Sequence, residues 1–167
     1  GRIALFGAAG VGKSHLARAM AAARGWRLIE GPTLRGLPEP APGGTVLDDA
    51  DAVAEERALL HLVNLCAERG EHLLLIGREA PARWRVALPD LASRLKATTA
   101  VGIARPGEAL LGALLAKHFA DRQLRVAPEV QAWLLARLTR EAATLAEAAA
   151  RLDRAALAAR APVTRAL

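Results

Sequence analysis

Eight residues near the start of the chain have the types and spacing that phosphate chemistry requires: Gly7-Ala8-Ala9-Gly10-Val11-Gly12-Lys13-Ser14. They fit the P-loop pattern G-x-x-x-x-G-K-[ST]. Glycines in such a loop let successive backbone N–H groups face one anion, and the helix that follows adds partial positive charge. We expect Lys13 to reach the β- and γ-phosphates of a nucleotide and the Ser14 hydroxyl to ligate Mg²⁺.

The residues around this loop supply the context that the motif needs. An apolar run, Ile3–Phe6, predicts a buried strand before the loop, and a helix-forming run, 15–23, follows it. The chain has 20 arginines but only three lysines, so lysine is rare here. One of the three is at position 13, where a compact positive charge suits phosphate binding. The alternative is a glycine-rich turn with an accidental lysine, which this context disfavours.

A second acidic motif lies about 35 residues further on, in Val46-Leu47-Asp48-Asp49 at the end of an apolar run. We interpret it as a Walker B pair, with Asp48 holding Mg²⁺ and Asp49 polarising the attacking water. The alternative is a helix N-cap pair. We assign the capping role to Asp51 instead.

Phosphoryl transfer also needs positive charge near the γ-phosphate, and two arginines are candidates. Arg94 lies in the segment 91–95, and Arg78 follows the fourth predicted strand, where a sensor residue would lie. Arg78, Arg83 and Arg85 could equally be surface charges.

Periodicity divides the chain into two regions. In residues 1–104 strand signals alternate with helix signals, which predicts an α/β fold with a parallel five-stranded sheet and helices on both faces. The expected strands are 3–6, 26–30, 45–48, 72–76 and 98–103, with a Gly/Pro-rich loop at 31–44 and a helix at 55–69. Residues 105–167 predict a small α-helical lid bundle. Its expected inward residues include Leu110, Leu111, Leu115, Phe119, Trp133 and Leu138, and Pro162 is expected to end the last helix.

Composition narrows the class of protein further. Residues 1–80 carry 9 basic and 10 acidic side chains, whereas residues 81–167 carry 14 and 7, so the basic half is a candidate DNA contact. The single cysteine, Cys66, lies among apolar residues and is expected in the core of a cytoplasmic protein. No apolar run is long enough to span a bilayer, so we expect no membrane partner.

Taken together, these motifs resemble an AAA+ ATPase, and within that superfamily the DnaA/Hda family of bacterial replication proteins. The similarity is closest to alphaproteobacterial Hda-like regulators of the initiator DnaA. It rests on GAAGVGKSH at 7–15, the two-aspartate Walker B at 46–50, LIGREAP at 75–81, LPDLASRL at 88–95, LAKHFADRQLRVAP at 115–128 and LDRAAL at 152–157.

The resemblance implies a regulator that binds ADP or ATP with Mg²⁺ and promotes hydrolysis of the ATP held by DnaA. The implied nucleotide ligands are Gly7, Ala9, Gly10, Val11, Gly12, Lys13, Ser14 and His15. Ser14 and Asp48 are the implied metal ligands, Asp49 is the implied hydrolytic residue, and Arg94 is the implied arginine finger acting in trans. The DNA-loaded sliding clamp is the second implied partner.

Four differences from the family pattern shape these expectations. The clamp-binding motif of Hda lies before the AAA+ core, so we expect an N-terminal segment to be missing here. The sensor 1 region contains Gly77-Arg78 in place of an aspartate, and the sensor 2 region contains Ala143, with Arg140 as its possible substitute. These two changes imply weak or no ATP hydrolysis by the chain itself. The DNA-reading helix-turn-helix of DnaA would follow the lid, beyond Leu167, so we do not expect an intact initiator.

Several alternatives remain open at the sequence level. One is a DNA-acting AAA+ module of an initiator or helicase loader. Others are a small-molecule kinase and a scaffold locked by its nucleotide. The sequence leaves open whether the protein acts alone or as a homodimer.

Overall fold

The computed structural model describes residues 1–139, 141–159 and 163–164. They form two compact units. The first comprises Gly1–Ala9 and Lys13–Ala104, and the second comprises Gly10–Gly12 with the described residues from Arg105 onward.

The first unit is built on a five-stranded sheet with the order β2-β3-β4-β1-β5. Every pairing is parallel, which confirms the predicted α/β fold. The strands are β1 (Arg2–Phe6), β2 (Arg27–Glu30), β3 (Gly44–Asp48), β4 (His72–Gly77) and β5 (Thr99–Gly102). Strands β3 and β4 are almost wholly buried, as expected for strands covered on both faces.

Helices cover both faces of this sheet, as predicted. The helices of the first unit are α1 (Lys13–Arg24), α2 (Glu56–Glu68) and α3 (Pro89–Lys96). Alternate residues of β4 separate the two cores: Leu73 and Leu75 pack in the cluster that contains α2 and α3, and Leu74 and Ile76 pack in the cluster that contains α1.

Cys66 lies in the larger of these two cores, as predicted. It is 2% exposed on α2, in the same cluster as Leu62 and Val63. Burial, and secondarily the negative charge of Glu71, raise the pKa of its thiol from 9.0 to about 11.

The second unit contains the three predicted lid helices, α4 (Glu108–Asp121), α5 (Pro128–Leu135) and α6 (Ala142–Ala159). Its core consists of Leu111, Leu115, Phe119, Leu145 and Ala149. One expectation for the inward face is wrong, because Leu110 is 61% exposed. Trp133 is half-buried, with the Arg137 guanidinium 4.3 Å from the centroid of its ring. Arg140 and Pro162 lie outside the described residues.

The ends of two predicted strands also needed correction. The strand predicted at 98–103 is shorter, because Thr98 lies in the turn after α3 and β5 begins at Thr99. All four residues of β5 are exposed. Trp26 precedes β2 and stacks on His72 with the ring centroids 5.5 Å apart. Among the described residues, none of the helices is both long and apolar enough to cross a bilayer.

Candidate functional site

The P-loop connects the carboxyl end of β1 to the first turn of α1. Gly10 and Gly12 have φ values of 78° and 94°, in the left-handed region where a side chain is strained. Lys13 begins α1 and is 8% exposed. Its Nζ donates hydrogen bonds to the carbonyl oxygens of Gly7 at 2.8 Å and Ala8 at 2.9 Å. The ammonium group of Lys13 is thus held against the backbone of the P-loop.

Ser14 and Asp48 are brought together, as the sequence predicted for a metal site. The Ser14 hydroxyl donates a hydrogen bond to Oδ1 of Asp48 at 3.1 Å. Asp48 ends β3 and is 1% exposed, and the Asp49 backbone N–H also donates to its Oδ1 at 3.1 Å. A hydroxyl and a carboxylate beside a phosphate loop are oxygen ligands of the kind that Mg²⁺ prefers, so these residues fit that ion.

Asp49 lies on a sharp turn directly after β3. It is exposed and has a φ of 50°, which is uncommon for a residue with a side chain. The turn fits because residue 31 is glycine: a Cβ there would lie 2.1 Å from the Asp49 carbonyl oxygen. Sequence reasoning treated Gly31 only as the start of a loop. Its place immediately after a predicted strand was the one available signal.

Asp51 does not cap a helix, so that expectation was wrong. Helix α2 begins at Glu56, and Oδ2 of Asp51 instead accepts a hydrogen bond from the Arg78 backbone N–H at 2.8 Å. The Asp51 carboxylate therefore ties the turn after β3 to the segment after β4. The Arg78 residue itself is exposed.

Arg94 lies at the other end of the sheet, on α3. Its side chain is 38% exposed and its Nε donates to Oδ1 of Asp90 at 3.0 Å. Its carbonyl oxygen accepts hydrogen bonds from Arg2 Nη2 at 2.7 Å and from Thr98 Oγ1 at 3.0 Å. Arg2 also donates from Nε to Thr98 Oγ1 at 2.7 Å. Burial, and then the positive charge of Arg94, lower the pKa of the Arg2 guanidinium.

These contacts place the backbone of Arg94 beside the amino end of β1, whereas the P-loop follows the carboxyl end. Strand β1 has five residues, Arg2–Phe6, so at ~3.3 Å per residue its first and last Cα atoms are about 13 Å apart. The structure therefore does not bring Arg94 together with Lys13, Ser14 and Asp48. The sequence had predicted Arg94 from its motif, but nothing had identified Arg2 and Thr98 as its anchors.

The remaining predicted nucleotide ligands lie in or directly after the loop. Ala9 is exposed, Val11 is half-buried, and His15 is exposed in the first turn of α1. Within the described part of the chain, no group of three or more His, Cys, Asp and Glu side chains is arranged to hold a metal ion.

Both units of the chain are similar to known proteins. Residues 110–166 match the family described as Hda, lid domain. Among curated proteins, none matches the sequence. Solved structures that resemble the chain include a replication initiator DnaA bound to AMPPCP and single-stranded DNA, with a TM-score of 0.71 and 18% identity, covering 95% of this chain and 58% of that one.

Two further structures come from Thermotoga maritima. Domain III of its DnaA has a TM-score of 0.73 and 13% identity, covering 97% of this chain and 79% of that one. Its RuvB Holliday junction branch migration motor has a TM-score of 0.71 and 15% identity, covering 96% of this chain and 56% of that one. This chain thus spans a little over half of the first DnaA structure, and at these identities the likeness concerns the fold.

The chain has the fold seen in P-loop NTPases of the AAA+ type, and the P-loop pattern lies at residues 7–14. An Hda-type lid follows a core with the fold seen in DnaA. The chain therefore has the fold of the AAA+ domain of DnaA, and its residues 110–166 are similar to the lid domain of Hda.

Proposed function

We propose that this chain binds ADP or ATP with Mg²⁺ at its P-loop and regulates replication initiation by promoting hydrolysis of the ATP held by DnaA. The proposal is supported mainly by the separation between Arg94 and the P-loop, which lie at opposite edges of the sheet. The P-loop, Ser14 and Asp48 gather at the carboxyl edge of the sheet, and Arg94 is presented near the amino edge. An arginine held away from the P-loop of its own chain is available to a nucleotide on another molecule, which supports a role in trans.

In this proposal the nucleotide is bound mainly by backbone and by two side chains of α1. The N–H groups of the loop and the N-terminus of α1 face the phosphates, with Gly7, Ala9, Gly10, Val11, Gly12 and His15 as the surrounding residues. Lys13 exchanges its two carbonyl partners for phosphate oxygens. Ser14 and Asp48 hold Mg²⁺, which neutralises phosphate charge when it is bound.

Hydrolysis by the chain itself is proposed to be weak or absent. Asp49 is exposed at the turn after β3, where it could orient a water molecule. The end of β4, however, offers Gly77 followed by Arg78 rather than an acidic side chain, and the Arg78 N–H donates a hydrogen bond to Asp51. The bound nucleotide would then set the state of the regulator without being hydrolysed quickly.

The partners in this proposal are DnaA and the DNA-loaded sliding clamp. Arg94 would insert its charge at the γ-phosphate of the DnaA-bound ATP, a contribution that can be worth about 10³–10⁵ in rate. To do so its guanidinium must leave Asp90. That contact is an i, i+4 pair on the surface, and such pairs contribute only about 0.3–0.5 kcal/mol, so it can be given up at little cost.

The test is a single-turnover measurement of hydrolysis by ATP-loaded DnaA, with this chain in excess so that binding does not depend on a clamp tether. We expect the chain to accelerate hydrolysis and Arg94→Ala to abolish the acceleration. Lys96→Ala removes an exposed basic residue from the last turn of the same helix and should retain it. Equal stimulation by the Arg94→Ala chain would refute the role of Arg94.

A second candidate is direct action on DNA, favoured by the charge of the second half. Residues 81–167 carry 14 basic and 7 acidic side chains. Phosphate contacts would make affinity fall linearly with the logarithm of salt concentration. A steep slope for duplex or single-stranded DNA would support this function, and undetectable binding at physiological salt would remove it.

A further inference from the structure

Arg18 lies beside the predicted metal site but has no part in the P-loop or Walker B patterns. It follows Ser14 by four residues on α1, so both side chains project from one side of the helix. Its Nη2 lies 3.6 Å from Oε1 of Glu30 and 4.0 Å from Oδ2 of Asp48. One guanidinium therefore contacts two carboxylates at the carboxyl edge of the sheet.

The two carboxylates are brought together by the sheet itself. Glu30 ends β2, Asp48 ends β3, and the two residues are partners in the parallel register. Like charges on neighbouring strands are destabilising unless a cation lies between them. Arg18 supplies that cation.

The two oxygens of Asp48 have different surroundings. Oδ1 accepts hydrogen bonds from Ser14 and from the Asp49 backbone, whereas Oδ2 faces Arg18. The side chain of Asp48 is 2% exposed and that of Arg18 is 60% exposed. The carboxylate is thus poorly solvated by water, while the guanidinium can remain hydrated as it balances the carboxylate's charge.

We propose that Arg18 is a built-in counter-ion of Asp48 that makes nucleotide binding at this loop largely independent of Mg²⁺. The inference rests on the proposed nucleotide site. Two physical effects lead to it. The charge of Arg18 opposes a divalent cation at Asp48, and it also removes the repulsion between Asp48 and an anionic phosphate chain when no metal is bound.

The experiment is an ADP titration by calorimetry, with Mg²⁺ and with excess chelator, on the unmodified chain and on Arg18→Gln. The unmodified chain should bind ADP with similar affinity in both conditions. In Arg18→Gln the affinity in chelator should fall, so that the ratio of the two dissociation constants rises by about twofold to fivefold, as expected for a largely exposed charge contact.

The matched control is Arg24→Gln, which removes the same charge from the same helix. Arg24 ends α1, and its guanidinium lies 5.5 Å from the Trp26 ring. Its substitution should leave the ratio unchanged. Thermal unfolding without nucleotide checks that both variants are folded, because a folded variant with an altered ratio reports on the site rather than on stability.

Three results would overturn the inference. One is the same Mg²⁺ dependence in the unmodified chain and in Arg18→Gln. The second is a loss of affinity of equal size with and without Mg²⁺, since Arg18 would then act on the nucleotide or the fold. The third is an equal change in Arg24→Gln. Failure of every chain to bind ADP is distinguishable from these, because it would refute the proposed nucleotide site itself.

Discussion

The two edges of the parallel sheet hold their functional groups by different means. At the carboxyl edge, backbone turns position the residues: Gly10 and Gly12 have positive φ values, and Gly31 allows the close approach of Asp49. At the amino edge, side-chain hydrogen bonds from Arg2 and Thr98 fix the backbone of Arg94. The phosphate site therefore depends on main-chain geometry, and the Arg94 position depends on two particular side chains.

This difference leads to distinct expectations for substitutions at each edge. Changes at the carboxyl edge should alter nucleotide affinity or the stability of the sheet. Changes at the amino edge should alter how Arg94 is presented while nucleotide affinity stays the same. The following substitutions test that separation, from the largest expected effect to the smallest.

Lys13→Ala should weaken ADP binding by about tenfold to a hundredfold, because hydrogen bonds to charged groups contribute about 1.5–3 kcal/mol. Calorimetric titration measures the change. Lys117→Ala is the control, since Lys117 lies on α4 in an exposed ion pair with Asp121 at 2.6 Å. An unchanged affinity in Lys13→Ala would mean that the ammonium does not reach a phosphate.

Gly31→Ala should lower the free energy of unfolding by about 1–3 kcal/mol, because the new Cβ must push the Asp49 turn away. Chemical denaturation measures it. Gly112→Ala provides a contrast of opposite sign: its Cβ would meet only Leu135 at 3.7 Å, and alanine in the interior of α4 should stabilise by about 0.5–1 kcal/mol. Equal stability of Gly31→Ala and the unmodified chain would contradict the close approach.

Arg2→Met should lower the free energy of unfolding by about 1–2 kcal/mol, because it leaves the Arg94 carbonyl and the Thr98 hydroxyl short of a partner. The same variant should weaken stimulation of DnaA and keep normal ADP affinity. Arg27→Met, which loses one exposed hydrogen bond to Glu39, should stay within about 0.5 kcal/mol of the unmodified chain. A loss of ADP affinity in Arg2→Met would show that the two edges are coupled and would contradict their separation.

Cys66 gives the smallest effect at neutral pH. Because folding raises the thiol pKa from 9.0 to about 11, the folded state favours the neutral thiol. Its contribution to stability is fully present below pH 9 and is lost as the pH rises through about 11. Alkylation of the native chain at pH 8 should therefore be negligible and should become rapid in denaturant. Rapid labelling of the native chain would contradict the burial of Cys66.

The sequence predicted the sheet and the place of the glycine-rich loop between β1 and α1 because their signals are local. Apolar runs and glycines at fixed spacing mark β1, β3, β4 and the loop. Asp48 was predicted for the same reason, because it directly follows the apolar run of β3. Helical periodicity predicted the three helices of the lid, and residues 110–166 match the Hda lid family. Only the role of Arg94 as an arginine finger in trans came from the family resemblance.

The residues that were missed make contacts between distant parts of the chain. Asp51 pairs with the backbone of Arg78, Arg2 with Arg94, and Gly31 with Asp49, over separations that no local pattern reports. The prediction for Leu110 was wrong for another reason: helical periodicity gives a broad apolar stripe but does not say which residues at its margin are covered.

The most direct test of the separation between the two edges is a calorimetric titration of AMPPCP into the Arg94→Ala chain beside the unmodified chain. If Arg94 serves a nucleotide on another molecule, both chains should bind the analogue with the same affinity. A clear loss of affinity in Arg94→Ala would place this arginine at the nucleotide of its own chain and would contradict the proposed role in trans.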